Sequence, residues 1–260
     1  MQLSMKGSKA VVTGASKGLG LAIADAFASA GADVVLVARG QDALQQAADD
    51  IAARHGVKAV GIAGDVSLAD ECTRIFEAAE AALGQVDVLV NNAGSSARGQ
   101  FESITDEQWQ ADFDLKVFAA IRLCRLAFPK MKGRNFGRIV NILNTGAKAP
   151  PAEGAPTAVS RAAGMAITKI LSQEGAPHNV LVNSLMVGKI RSDQWVRRHA
   201  AQSNEESLED YYARMGTDLP MGRYGTAEEF AAVACFLASD GGSYVTGTAI
   251  NVDGGMCPVM

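Results

Sequence analysis

Short, almost unbroken runs of β-branched and aliphatic residues recur along this chain, each followed by a longer, alanine-rich stretch with helical spacing. Lys9–Thr13, Asp33–Ala38, Lys58–Ala63, Val86–Val90, Arg138–Leu143, Val180–Met186 and Thr248–Val252 read as strands. Helices are expected from Gly18 to Ala30, over Gln41–Arg54 and between the later strands. A strand that is apolar at every position must be covered on both faces. Strands that alternate with helices are joined by crossovers, which makes them parallel. The pattern predicts an α/β, doubly wound fold: a single parallel sheet with helices on both sides.

The length of 260 residues suits one such domain and leaves little room for another. One stretch breaks the alternation, at about residues 191–222. It is polar and charged, with Arg197, Arg198, Glu205, Glu206 and the adjacent Tyr211 and Tyr212. Placed between the sixth strand and the last helix, it reads as an insertion lying over a ligand cleft. A net charge of −4 gives no general attraction for nucleic acid or an anionic membrane. No apolar run reaches the ~18–20 residues needed to span a bilayer, and the N-terminal residues lack the apolar core of a signal peptide. The expectation is a cytoplasmic protein acting on a small molecule. Cys72, Cys124, Cys235 and Cys257 lie far apart, as do the three histidines, so neither set has metal-ligand spacing.

The first strand runs into Thr13-Gly14-Ala15-Ser16-Lys17-Gly18-Leu19-Gly20, where a helix is expected to open. Glycines at 14, 18 and 20 let the backbone turn tightly and approach a pyrophosphate at that helix N-terminus. The second strand ends in Ala38-Arg39, where NAD-binding folds usually place an acid for the ribose 2′-hydroxyl. Arg39 and Lys17 together suit a 2′-phosphate, so NADP(H) is preferred over NAD(H).

Five features make the chain resemble the short-chain dehydrogenase/reductase family, and its acyl-carrier-protein ketoreductase-like branch in particular, over essentially its whole length. They are the glycine loop above, Asp65-Val66, Asn91-Asn92-Ala93-Gly94, the strand from Gly137 to Ile142, and Val245-Thr246-Gly247 with Asp253-Gly254-Gly255. The resemblance implies a Rossmann fold in which Asp65 and Val66 hold the adenine. It places Asn92, Ala93 and Gly94 at the riboses and Ile190 under the nicotinamide amide. Val187-Gly188 stands where the family has Pro-Gly. It also implies a homo-oligomer, a tetramer or dimer, packed through the fourth and fifth helices.

The same resemblance implies a catalytic Ser, Tyr and Lys with a supporting Asn. Counted without gaps, those positions fall on Asn144, Thr157, Arg161 and Lys116, so all four differ from the family pattern. The available tyrosines, Tyr211, Tyr212, Tyr224 and Tyr244, are not on the fifth helix. A threonine hydroxyl titrates far above a phenol, and an arginine does not cycle a proton. Lys116 is the candidate replacement: burial and the neighbouring Arg161 would lower its pKa toward neutrality. The structural alternative is a lysine whose head reaches Asp112, Asp114 or water. Arg161 keeps the ribose-anchoring role, and Asn144 is able to hydrogen-bond a substrate oxygen. Arg191, Arg197, Arg198 and His199 either meet an acidic substrate or form a solvated helix with the nearby Glu205, Glu206, Glu209 and Asp210.

Three functions are compatible with these residues. One is an NADP(H)-dependent oxidoreductase with a rearranged proton path through Lys116. Another is a non-redox enzyme using Lys116 for retro-aldol cleavage, hydration or isomerisation. The third is an inactive NADP(H)-binding sensor or partner subunit.

Overall fold

The computed structural model describes residues 3–202 and 206–260, so Glu205 of the polar stretch lies outside the described residues. Among the described residues, strands β1 (Lys9–Thr13), β2 (Asp33–Ala38), β3 (Ala59–Ala63), β4 (Val88–Asn91), β5 (Gly137–Asn144), β6 (Val180–Val187) and β7 (Ala249–Val252) form one sheet. Their spatial order is β3-β2-β1-β4-β5-β6-β7, and every neighbouring pair is parallel. The order reverses between β1 and β4, where a crevice opens at the carboxyl ends of the strands. This is the doubly wound Rossmann-type architecture expected from the alternation.

The helices are α1 (Gly18–Ser29), α2 (Gln41–His55), α3 (Ala69–Leu83), α4 (Asp106–Phe113), α5 (Ala119–Arg134), α6 (Thr157–Gly175), α7 (Asp193–Ala200), α8 (Leu208–Gly216) and α9 (Ala227–Ala238). Side chains alternate across a strand, so each run feeds two cores. Val12, Val34, Leu36, Val90 and Ile142 pack with Ile23 and Phe27 of α1 and Phe230 of α9. Val11, Val35, Leu89 and Ile139 pack on the other face with Ile75 and Phe76 of α3 and Leu123 of α5. Both faces are therefore dry, which accounts for the unbroken apolar runs.

The expected fourth helix is α4 and α5 joined by a wide, π-type turn over Asp114–Phe118. Such a turn carries an extra residue within a helix and is common at functional sites. Spacing alone gave no sign of it. Thr105 starts this helical run with a reciprocal cap: its hydroxyl accepts from Gln108 N–H, and the Gln108 side chain accepts from Thr105 N–H.

The crevice is held closed at its base by Thr13 and Asn92. The Thr13 hydroxyl accepts the N–H groups of Asn92 and Ala93, both at 3.0 Å, and donates to Val90 O at 3.2 Å. Asn92 Nδ2 donates back to Thr13 O at 2.8 Å and Gly14 O at 3.1 Å. Thr13→Val keeps the shape but leaves the Ala93 N–H without its acceptor and the Asn92 N–H with Val90 O alone, at 3.1 Å. It is expected to lower stability by about 1–3 kcal/mol, read as a reduced denaturant midpoint. An unchanged midpoint refutes this role.

Candidate active site

The glycine loop between β1 and α1 turns through Gly14 at φ +66° and Gly18 at φ +60°. A Cβ at Gly14 would meet Ala93 Cα at 2.9 Å, and one at Gly20 would meet Gly14 O at 2.3 Å. These two glycines let the loop, the helix and the strand β4 exit approach one another. Gly18 differs: a Cβ there would stand in open space. Helix α1 also begins without a side-chain cap and has no acid in its first turn. Its free N–H groups and positive dipole end therefore face an open approach, which suits a dinucleotide pyrophosphate.

A cavity of about 850 Å³ runs along the crevice. Gly14, Ser16, Lys17, Gly18, Leu19 and Gly20 line it from the loop, and Arg39 from the end of β2. Asp65 and Val66 line it beyond β3, with Asn92, Ala93 and Gly94 beyond β4. The Asp65 carboxylate is oriented by Ser67, whose N–H and hydroxyl donate to it at 3.0 and 2.7 Å. Asn144, Thr157 and Arg161 complete the wall. Residues expected from six separate segments of the sequence thus line one cavity.

Two further expected cofactor residues, Gly188 and Ile190, line an adjoining cavity of about 470 Å³. A Cβ at Gly188 would strike Asp253 Cβ at 2.3 Å, so this glycine is required by the packing of the β6 and β7 ends. The two cavities form one cleft, sharing Leu19, Ser96, Asn144, Thr157 and Arg198 among their walls.

The four candidate catalytic residues converge, with Lys116 set back from the cleft. Lys116 belongs to the wide turn after α4, and its side chain has 0% exposure. It lines neither cavity. Its ammonium donates to Asp112, one helical turn earlier, and to the Thr157 hydroxyl at 2.7 Å. The contact with Asp112 is the one the structural alternative expects, and the contact with Thr157 brings the same ammonium beside the cleft wall. Burial first, then the Arg161 charge, brings its pKa down to about 8, against the opposing hydrogen bond and charge of Asp112.

Thr157 opens α6 and lines both cavities. Its hydroxyl accepts from Lys116 and from Ala97 N–H at 2.9 Å. With both acceptances used, the hydroxyl proton points to Asp112 Oδ1 at a long 3.4 Å. Arg161 donates to Ile142 O at 2.8 Å and lies against Gly94, where a Cβ would meet its Nη2 at 2.3 Å. Burial brings its pKa down to about 10, with Asp112 opposing, and it stays charged at neutral pH. Asn144 presents a buried Oδ1 with no hydrogen-bond partner among the described residues.

A model of the family described as enoyl-(acyl carrier protein) reductase matches residues 14–257. The NADPH-dependent reductase BacG of Bacillus subtilis is 37% identical over 251 residues, covering 95% of this chain and 96% of that protein. The 3-oxoacyl-[acyl-carrier-protein] reductase FabG of Aquifex aeolicus is 32% identical over 256 residues, covering 98% and 100%. A solved short chain dehydrogenase/reductase family protein superposes with a TM-score of 0.86 at 31% identity, over 100% of both chains. The chain belongs to the short-chain dehydrogenase/reductase family. Its shape is also matched by L-sorbose reductase from Gluconobacter frateurii, solved with NADPH and L-sorbose. There the TM-score is 0.95 and the identity 34%, over 100% of both chains.

The polar stretch contributes unevenly to the site. Ser192, Asp193, Gln194, Arg197 and Arg198 line the larger cavity from α7 and its start. Tyr211 and Tyr212 do not reach the cleft. They are buried with Trp195 and Tyr224 in a separate aromatic cluster, because α8 turns its apolar face onto α7. Arg191 and Arg197 pair with Glu209 and Asp193, and Arg214 with Glu206, as in a solvated helix pair. Lys17 pairs with Asp193 at 2.7 Å, whereas Arg39 has no ion-pair partner among the described residues. Among those residues, no helix is long and apolar enough to cross a membrane.

Sequence reasoning gave no role to Arg98, which lines the smaller cavity. It sits in a loop of small residues brought to the site by a bridge to Pro156, and no local pattern reports such a contact. Removing one partner of the buried pair isolates the other charge. Asp112→Ala is expected to cost about 3–5 kcal/mol in denaturant unfolding, and adding Lys116→Met should recover most of that loss. A double variant no more stable than the single one would contradict the pairing.

Proposed function

We propose that the protein is an NADP(H)-dependent oxidoreductase that interconverts a carbonyl compound and an alcohol through a proton path from Lys116 by way of Thr157. Asn144, Thr157, Arg161 and Lys116 stand where the family carries Ser, Tyr, Lys and Asn. The observation that carries the reading is the 2.7 Å hydrogen bond from the sequestered Lys116 to Thr157, a residue on the wall of both cavities. NADP(H) is the cofactor, as in the relatives' names, and the uncapped α1 N-terminus with Arg39 and Lys17 suits its phosphates. When bound, NADPH supplies the hydride that reaches the carbonyl carbon.

The chain's own groups then handle the oxygen. Asn144 donates an Nδ2 N–H to the substrate oxygen. The Thr157 hydroxyl turns from its long contact with Asp112 toward that oxygen, losing little because a 3.4 Å bond is weak. As its proton passes to the substrate, Lys116 returns one across the 2.7 Å contact, so no free alkoxide forms on threonine. Asp112 receives the hydrogen bond of the neutral amine and keeps it aimed. Arg161, lying against Gly94, holds the ribose side of the cofactor, and its charge adds to burial in bringing Lys116 down to about 8. A covalent role for Lys116 finds no support, since its Nζ is enclosed and held by two partners.

The segment at about residues 191–222 is proposed as a substrate lid on a single domain, supported by the α7 residues in the cavity wall. A homo-oligomer packed through the α4–α5 run and α6 is proposed too. Exposed Phe118, Val159 and Ile170 on those elements support it.

NADPH oxidation followed at 340 nm across a carbonyl panel tests the relay. Reduction requires the ammonium of Lys116, so the rate should fall as pH rises through about 8, and alcohol oxidation should show the opposite limb. Lys116→Met and Thr157→Val should each lower the rate by about 10²–10⁴-fold and remove that limb. A limb near pH 8 that survives Lys116→Met refutes the relay. For the cofactor, Arg39→Ala is expected to weaken NADPH binding about 10-fold while leaving NADH binding little changed, as read by fluorescence titration. Equal losses for both nucleotides would assign Arg39 no part in phosphate recognition.

A further inference from the structure

We infer that the carbonyl substrate carries an anionic group, a carboxylate or a phosphate, held by Arg98, Lys189 and Arg198 in the cavity that Asn144 and Thr157 line. This rests on the carbonyl–alcohol reading above and adds the class of compound.

The observation is an imbalance of charge. Among the described residues, the wall of the smaller cavity holds three cationic side chains and no carboxylate. They arrive from three places: Arg98 from the loop after β4, Lys189 from just past β6, and Arg198 from α7. Neighbouring cations are matched, Arg191 by Glu209, Arg197 and Lys17 by Asp193, and Arg223 by Glu229. Arg98, Lys189 and Arg198 have no such partner among the described residues.

The three charges also act on one another. Lys189 is held below the usual lysine range by burial first, then by repulsion from Arg198 and Arg98. Its Nζ lies 4.3 Å from the centre of the Trp195 ring, and Arg198 Cζ lies 4.6 Å from the same ring. Stacking on Trp195 gives these two a packing role. It does not account for Arg98, nor for the lack of any acid in the wall. A cleft lined by one sign of charge concentrates ligands of the other sign, and arginine matches carboxylate and phosphate oxygens with paired donors. An anion here would relieve the mutual repulsion. It would also fix which end of the substrate enters first, leaving the carbonyl for Asn144 and Thr157. A volume of about 470 Å³ suits a small oxo acid or a phosphorylated ketone.

The test uses the NADPH-loaded protein and two matched pairs of probes: 4-oxopentanoate against its methyl ester, and dihydroxyacetone phosphate against dihydroxyacetone. Binding is read by calorimetry and turnover at 340 nm. At low ionic strength the charged member of at least one pair should bind about 10-fold tighter or better, and added salt should shrink the gap. A gap in the first pair alone assigns a carboxylate, and one in the second alone a phosphate. Lys189→Gln and Arg198→Gln, checked for native melting, should each narrow the gap. Charged probes that bind no better than neutral ones, undetectable binding included, overturn the inference from the wild-type protein alone. A preference unmoved by salt and by both substitutions does the same. Failure of the underlying redox reading looks different: the charged-probe preference persists in calorimetry while no probe changes absorbance at 340 nm, and the anion site then stands.

Discussion

The clasp between Thr13 and Asn92 is the constraint on which the rest of this molecule depends. It ties the ends of β1 and β4 together at the one place where the sheet order reverses, through one hydroxyl and one side-chain amide. With that base closed, the glycine loop is pressed so near Asn92 and Ala93 that only glycine fits at positions 14 and 20. The α1 N-terminus is then aimed across the crevice, and Gly94 lies where Arg161 can rest against it. A second polar line runs deeper: Asn91 donates to Asn141, and Asn141 to Thr168 of α6, at 2.8 and 2.9 Å. These buried amides tie α6 to the sheet, and with it Thr157 at the helix start.

Below the cleft, two cations and one carboxylate lie close together. Taking charges out of water is costly, and such a group is retained only where good geometry offsets that cost. Here the offset is incomplete, since Asp112 Oδ2 is buried without a hydrogen-bond partner and Lys116 is drawn down to about 8. Perturbed groups of this kind gather at reactive sites more often than in purely structural cores. The wide turn over Asp114–Phe118 has a physical part in this. It lies where Lys116, while paired with Asp112 of α4, also reaches Thr157 at the start of α6.

Much of this was legible in the sequence because it rests on period and on local chemistry. Apolar runs with no polar face require a sheet covered twice, and the two cores confirm that logic strand by strand. Glycine positions and the terminal Arg39 reported the cleft, since backbone approach and charge are properties of residue type. Less legible was anything set by side-chain direction over long separations. Tyr211 and Tyr212 carry the chemistry of a phenol but are committed to packing on Trp195 and Tyr224. The need for glycine at position 188 comes from Asp253, far along the chain. Arg98 gave no signal because its partners are more than 50 positions away, at Pro156 and beyond. The depth of Lys116 behind Thr157 was equally hidden, and of Asp112, Asp114 and water the partner is Asp112, at one-turn spacing.

The contact between Lys17 and Asp193 joins the nucleotide loop to the segment over the cleft. A cation already satisfied by a carboxylate is a cation that an arriving phosphate must win, and whichever anion takes it displaces the other. If the proposed nucleotide phosphate takes Lys17, it competes with Asp193 for the same charge. Such linkage is reciprocal: whatever weakens the Asp193 contact would raise the affinity for phosphate, and phosphate would weaken that contact by the same free energy. The glycine loop and the covering segment, though some 175 positions apart in sequence, share a single currency of charge.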